Sequence, residues 1–462
     1  MTQVEPTERG RTALDVVDTE TIPLPHVFPT AEEAPSRGGR RGPRGGHRIE
    51  WWSIAIALTV IVALICVAKA LTLENFERSP VWAGYSIVVM VFIFGRFVLA
   101  WCYRPRLPPD SETFLPTVAI VVPAYNEEGA ISATLEACLG INYPADKFQV
   151  VVVDDCSTDA TLARIRETQR RFPELLVVPG RVNRGKRHVM AEGMKYVPDA
   201  DILVFIDSDS LVRNDAIRKI VRYFADPAVG AVCGHTDVLN ADKSLLARMQ
   251  ALQYFIAFNV HKSAEALFGS VTCCSGCFSA YRQAALSPIV EKWVNQQFFG
   301  QPSTYGDDRS LTNFLLRDWR VLYAPDAKAL TAVPEKLPQF LRQQLRWKKS
   351  WLRETMRASR VMWRKPPIMA FFYYLSVALP FFAPQVVFHA LVISPYFLWT
   401  PPVWYLGGIA AIALFYGLYY RMKTRDPAWY RGIFFSIFYT VLLVWQLPYA
   451  IFTIRDSKWG TR

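Results

Sequence analysis

Ile202-Leu203-Val204-Phe205-Ile206-Asp207-Ser208-Asp209 is the stretch on which the fold reading turns. Five apolar residues run without a polar break and stop at a carboxylate, the pattern of a strand buried on both faces. Two upstream runs are built the same way. Residues 118–123 stop before Tyr125-Asn126-Glu127, and residues 148–153 stop before Asp154-Asp155. Helical spacing at 131–139 and 161–171 separates the runs, so a parallel α/β sheet is expected between about 112 and 333. In such sheets ligands sit beyond the carboxyl ends of the strands. The three strand-end clusters therefore belong to one site.

Apolar segments flank this region. Residues 51–71 and 81–101 are each long enough to span a bilayer, and a short, slightly acidic loop joins them. Arginines stand outside both ends, five of them between Arg37 and Arg48 and two at Arg104 and Arg106. That asymmetry predicts a hairpin with both ends, and the α/β domain after it, in the cytoplasm. Downstream, residues 338–364 form a basic amphipathic helix with Leu341, Leu345, Leu352 and Met356 at helical spacing. Its expected place is the membrane interface. Apolar stretches follow at 369–399, 403–420 and 433–454. Pro380, Pro384 and Pro448 suggest a broken or re-entrant segment, which would keep the C-terminus cytoplasmic. The expected organisation is a disordered basic tail over 1–48, a transmembrane hairpin over 49–103 and the cytoplasmic domain over 104–335. An interfacial helix over 336–367 and a membrane region over 368–462 complete it. The 52% hydrophobic content and net charge of +12 fit a cytoplasmic membrane face, and nucleic acid is not expected as a partner. The eight cysteines form no disulfide pattern, and Cys273-Cys274-Ser275-Gly276-Cys277 lacks the second ligand pair that zinc needs.

The chemistry lies in the carboxylates. Asp207 and Asp209 are spaced to hold Mg²⁺ or Mn²⁺, ions that bind few protein oxygens and complete their shell with substrate phosphates. Asp155 could accept from a uracil or ribose, and Asn183-Arg184-Gly185-Lys186-Arg187 brings cations. In Gly306-Asp307-Asp308-Arg309 one acid is a candidate base and the other a structural partner, with Arg309 at hand. In Gln343-Gln344-Leu345-Arg346-Trp347, Arg346 offers a planar fork to diphosphate and Trp347 a face for a sugar ring. A nucleotide-binding edge, a base and an Arg-Trp pair beside a membrane suggest transfer of sugar from a nucleotide donor.

Taken together these residues resemble the processive family 2 glycosyltransferases with the GT-A fold. The likeness rests on Pro123-Ala124-Tyr125-Asn126-Glu127, Val153-Asp154-Asp155, Asp207-Ser208-Asp209, Gly306-Asp307-Asp308-Arg309 and Gln343-x-x-Arg346-Trp347. It is nearest to the hyaluronan synthases through 306–313, 257–260, 346–354 and the terminal Trp459-Gly460-Thr461-Arg462. The resemblance implies an α/β GT-A-type cytoplasmic domain inserted between transmembrane helices. It implies UDP-sugar donors, a growing polysaccharide chain and membrane lipids as partners, and Mg²⁺ or Mn²⁺ as cofactor at the plasma membrane. By the same resemblance Asp155 and Lys186 would hold the uridine, with Ala124, Tyr125, Glu127 and Asp207 also in the substrate set. Asp209 would hold the metal, and Asp308 would be the base. Gln343, Arg346 and Trp347 would bracket diphosphate and acceptor. Cys277 stands where Pro is usual, and Ser310 where His is usual. Chitin and chito-oligosaccharide synthases share most of these motifs, so a synthase using UDP-GlcNAc alone is the alternative. Transfer of a single sugar to a lipid phosphate, or a transporter with a degenerate domain, fits the intact Asp209, Asp308 and Arg346 less well.

Overall fold

A computed structural model describes residues 46–71, 80–399 and 401–455. Most of the expected N-terminal tail, the loop at 72–79 and the terminal Trp459-Gly460-Thr461-Arg462 lie outside them.

The apolar runs become strands β1 (Val118–Ala124), β2 (Phe148–Asp154) and β4 (Ile202–Phe205), with β3 (Leu176–Pro179) beside β2. Their order is β3-β2-β1-β4, all parallel. Alternation along β1 explains the unbroken hydrophobicity. Val118, Ile120 and Val122 face one core with Ile131 and Leu135, while Ala119 and Val121 face another with Val189 and Met190. The helical spacing is realised as α1 to α5 in chain order: α1 (Gly46–Leu71), α2 (Pro80–Cys102), α3 (Ile131–Leu139), α4 (Thr161–Arg171) and α5 (Lys186–Met194). Helix α5 lies hard against the sheet at Gly193, where a Cβ would stand 2.5 Å from Val121 Cγ1. That contact fixes the N-terminal residue of α5, Lys186, above the strand ends.

Beyond β4 the sheet departs from the expected parallel pattern. β5 (Ser210–Val212), β6 (Val229–Val238), β7 (Ser279–Arg282) and β10 (Arg320–Thr331) extend it in the order β4-β7-β6-β10-β5. β7 runs antiparallel to both neighbours, and β5 is antiparallel to β10. Only β6 and β10 are parallel there, with a register break between Ala324 and Lys328. β5 and β7 are too short for periodicity to orient them, and β6 and β10 find their partners across long connections, which no local period encodes. β8 (Gln297–Phe298) and β9 (Gln301–Pro302) form a separate hairpin.

Three helices frame the candidate base and the Arg-Trp motif: α6 (Leu245–Ile256), α7 (Asp307–Leu315) and α8 (Leu337–Met362). α6 continues through a π-helical turn at Ala257–Lys262 into Ser263–Ala266. The expected apolar stripe of α8 needs correction. Met356 is 49% exposed, whereas Lys349, Arg353 and Glu354 are buried together with Phe340, Leu352 and Met362. The cause is polar packing. Arg353 donates to the Tyr305 carbonyl at 3.0 Å, and Glu354 accepts from Gln296 Nε2 at 2.6 Å. One face of α8 is thus committed to the α/β domain.

Among the described residues α2 and Pro367–Phe397 are long and apolar enough to cross a membrane. Pro380 and Pro384 lie inside the second of these. Trp429–Leu443 and Gln446–Phe452 would make a third span if taken as one helix bent by 43°, with Pro448 just beyond the bend. The described apolar part of α1 is Ile56–Val67. Val403–Thr424 forms one further helix ending in Arg421 and Lys423.

Candidate functional site

The loops after β1 and β2 are stapled to one another, which sets the near wall of a cleft. Asn126 takes a left-handed conformation (φ 53°), which Asn tolerates better than most side chains. Its Oδ1 accepts from the Thr158 N–H at 2.9 Å, and the Glu127 N–H donates to Thr161 Oγ1 at 2.7 Å. Asp155 closes the loop before α5. Its two oxygens accept the backbone N–H groups of Arg184 (2.7 Å) and Gly185 (2.8 Å). Burial pushes this carboxyl above the usual carboxylate range, while the two N–H bonds pull the other way.

Lys186 Nζ forms an ion pair with Asp207 Oδ1. Burial alone would lower the Lys186 pKa, but the Asp207 carboxylate, with Asp307 and Asp308 adding to it, holds it above the ordinary lysine range. The lysine is charged at every physiological pH. The loop carrying Gly276 presses on this pair, since a Cβ there would lie 3.0 Å from Lys186 Nζ and 3.1 Å from Asp207 Oδ2.

A cleft of about 1090 Å³ opens over these groups. Ala124, Tyr125, Glu127, Asp155, Lys186, Asp207, Asp209, Gln343 and Arg346 all line it. Gln343 Oε1 is buried there without a hydrogen-bond partner, an oxygen suited to a ligand donor. Trp347 is turned elsewhere. It lines a second cavity, of about 250 Å³, with Arg309, Lys348, Trp351, Pro380, Tyr439 and Leu447. One turn of α8 therefore touches both spaces.

Asp308 borders neither lining set. Its Oδ1 accepts from the Arg309 N–H at 2.8 Å, and Cys273 Sγ lies 3.7 Å from its Oδ2. Asp307 is the ion-paired acid, and its partner is Arg187 (Nε to Oδ1, 2.9 Å) rather than the expected Arg309. Arg187 also donates to the Trp293 carbonyl and to Gln296, so much of its guanidinium is engaged by the fold, although the residue also lines the cleft.

The described residues contain no group of three or more His, Cys, Asp or Glu able to hold an ion by themselves. A divalent ion held by one or two carboxylates and completed by a diphosphate needs no such group. Asp207 and Asp209 lie on the cleft wall and are carboxylates that could serve it there.

Sequence reading missed two contributors. The Tyr254 ring stands 6.4 Å from that of Trp347. Burial raises its phenol well above the ordinary value, and Cys277, Asp209, Asp207 and Asp308 add to the effect. Gln296 joins Arg187, Ser310 and Glu354. Neither residue sits in a spacing pattern, so no signal along the chain pointed to them.

Comparison with known proteins agrees with this geometry. Residues 116–350 match the family model described as glycosyltransferase like family 2. A hyaluronan synthase of Streptococcus pyogenes serotype M3 is 30% identical over 425 residues, covering 87% of this chain and 96% of that one. An N-acetylglucosaminyltransferase of Azorhizobium caulinodans is 31% identical over 410 residues, covering 87% and 98%. Among solved structures, a mannosyltransferase from Pyrobaculum calidifontis in complex with GDP-Man and Mn²⁺ aligns with a TM-score of 0.55 at 24% identity. That alignment covers 85% of this chain and 99% of that one, a likeness of fold.

Proposed function

We infer that this chain, which belongs to the family 2 glycosyltransferases, is a processive inverting enzyme of the cell membrane. It would polymerise UDP-GlcNAc and UDP-GlcA into hyaluronan and pass the growing chain outward. Its activity class is glycosyl transfer and its fold is GT-A-like. The observation that carries the finer reading is the position of α8. Gln343 and Arg346 border the large cleft, while Trp347 borders a cavity walled by Pro380, Tyr439 and Leu447 of the apolar C-terminal helices. Donor chemistry and a path toward the membrane meet on one helical turn.

In this mechanism Asp155 and Lys186 hold the uridine end of the donor, and Ala124, Tyr125 and Glu127 close around it. Asp209, with Asp207 beside it, would hold Mg²⁺ or Mn²⁺, which supplies charge neutralisation for the departing diphosphate. Arg346 steadies the diphosphate through its fork. Asp308 takes the proton of the acceptor hydroxyl. The acceptor oxygen then bonds to the anomeric carbon as the bond to UDP breaks, and configuration inverts. Trp347 stacks on the acceptor sugar and guides it toward the membrane helices. The catalytic domain works on the cytoplasmic side, with α1 and α2 crossing before it.

A second reading, a chito-oligosaccharide synthase using UDP-GlcNAc alone, draws on the equal coverage of the N-acetylglucosaminyltransferase relative. One assay separates the two. Membranes receive each donor singly and then both together, and the product is treated with hyaluronidase or chitinase. Polymer that needs both donors and yields to hyaluronidase is expected. Polymer from UDP-GlcNAc alone, cut only by chitinase, would replace the first reading with the second.

A further inference from the structure

An arginine inside an apolar, span-length helix is costly and calls for a partner. Arg96 of α2 is such a residue, 4% exposed, and its partners lie on the continuation of α6 that packs against α2. Its NH1 lies 3.0 Å from His261 Nδ1, and its NH2 donates to Glu265 Oε1 at 3.2 Å. The other oxygen of the same carboxylate has a different task. Glu265 Oε2 accepts both the N–H (2.9 Å) and the hydroxyl (3.0 Å) of Thr272. The next residue, Cys273, is the one whose Sγ lies 3.7 Å from Asp308 Oδ2. From the far side, the Cys274 N–H donates to Thr312 Oγ1 at 2.9 Å, and that hydroxyl donates to the Asp308 carbonyl at 2.7 Å.

We propose that Glu265 is a positioning residue that clamps the 272–274 loop, and through it the surroundings of Asp308, to Arg96 of the membrane helix. The proposal rests on Asp308 as the base. His261, on the π-helical turn at Ala257–Lys262, and Glu265, on its continuation, stand four residues apart on one helix face and reach Arg96 together. Lys262, from the same turn, donates to the Cys273 carbonyl, so one short helical segment grips both the membrane helix and the loop. Arg96 and Glu265 are both buried, and a buried ion pair gains little stability over an apolar pair of equal volume. Placement of the loop is what the pair supplies.

The test uses the full-length enzyme in detergent or lipid discs, with UDP release as the activity and UDP affinity measured separately. Arg96→Met breaks the membrane half of the clamp. Glu265→Gln keeps an oxygen for Thr272 but ends the ion pair. Each variant should lose kcat by about 10-fold with UDP affinity and donor KM within about twofold of the parent, and Arg96→Lys should recover most of the loss. UDP binding serves as the folding check. Wild-type kcat in Arg96→Met and Glu265→Gln would overturn the proposal. So would a fall in UDP affinity equal to the fall in kcat, or Arg96→Lys no better than Arg96→Met, since these mark a general loss of structure. Full activity in Asp308→Asn would refute the base assignment instead, which keeps the two failures distinct.

Discussion

Asp307 and Asp308 are neighbours in sequence with different surroundings. Asp307 is 4% exposed and ion-paired with Arg187, while Asp308 touches the Arg309 N–H and the Cys273 thiol. Asp308→Asn should therefore keep UDP affinity and lose transfer by at least about 100-fold, as expected of a missing base. Asp307→Asn should hurt transfer less and show itself in thermal unfolding, because a buried Arg187 that loses its ionised partner costs on the order of 3 kcal/mol. Equal and mild losses of transfer in the two variants would place the base elsewhere. Asp209→Asn tests the metal assignment. Turnover should vanish while the protein stays folded and inserted, and EDTA should do the same to the parent enzyme. Undiminished activity in EDTA-treated membranes would remove the metal from the mechanism.

At the scale of elements, the contact of α7 with α8 is the joint that matters. Gly306, just before α7, has φ 81°, and a Cβ on it would collide with Ser350 Oγ. Left-handed backbone costs a non-glycine residue about 1 kcal/mol or more, and the clash adds to it. Gly306→Ala should lower both thermal stability and activity, and Ser350→Gly in the same chain should recover part of each. Gly300 is the control. It also has positive φ (75°), but open space surrounds its Cβ direction, so Gly300→Ala should cost only the backbone term. If both alanines behave alike, the α7–α8 joint is not the tight fit described. The joint also explains the buried charges of α8. Helix periodicity marks Arg353 and Glu354 as surface residues, yet the Tyr305 carbonyl meets the first, and Gln296 and Asn313 meet the second, from other parts of the chain.

For the whole molecule, the large cleft and the smaller cavity lie on either side of one turn of α8. If polymer passes from the first toward the second, Trp347→Ala should shorten or stop chains, since it removes the stacking face for the acceptor sugar. Product sizing on gels, at matched UDP release, checks this. Chains of unchanged length would free Trp347 from that role. Vesicles loaded with donors on the nucleotide side should accumulate polymer on the opposite side. Polymer retained with the nucleotides would remove the export half of the function and leave the transfer half standing.

The strands at 118–124, 148–154 and 202–205, the helices between them and the carboxylates at their ends were legible because both signals are local. A buried parallel strand needs an unbroken apolar run, and its end must turn polar to meet water or ligand. The GT-A-like reading and the motif residues lining the cleft rest on that much. The order β4-β7-β6-β10-β5 was not legible, since these strands pair across long loops by packing that no local pattern encodes. The same holds for Arg187 with Asp307, Gln296 with Glu354, and Arg96 with Glu265. Each is a buried polar residue whose partner stands more than 50 positions away. A charged side chain reads as surface until a distant partner compensates its desolvation. Only the tertiary structure brings that partner into reach.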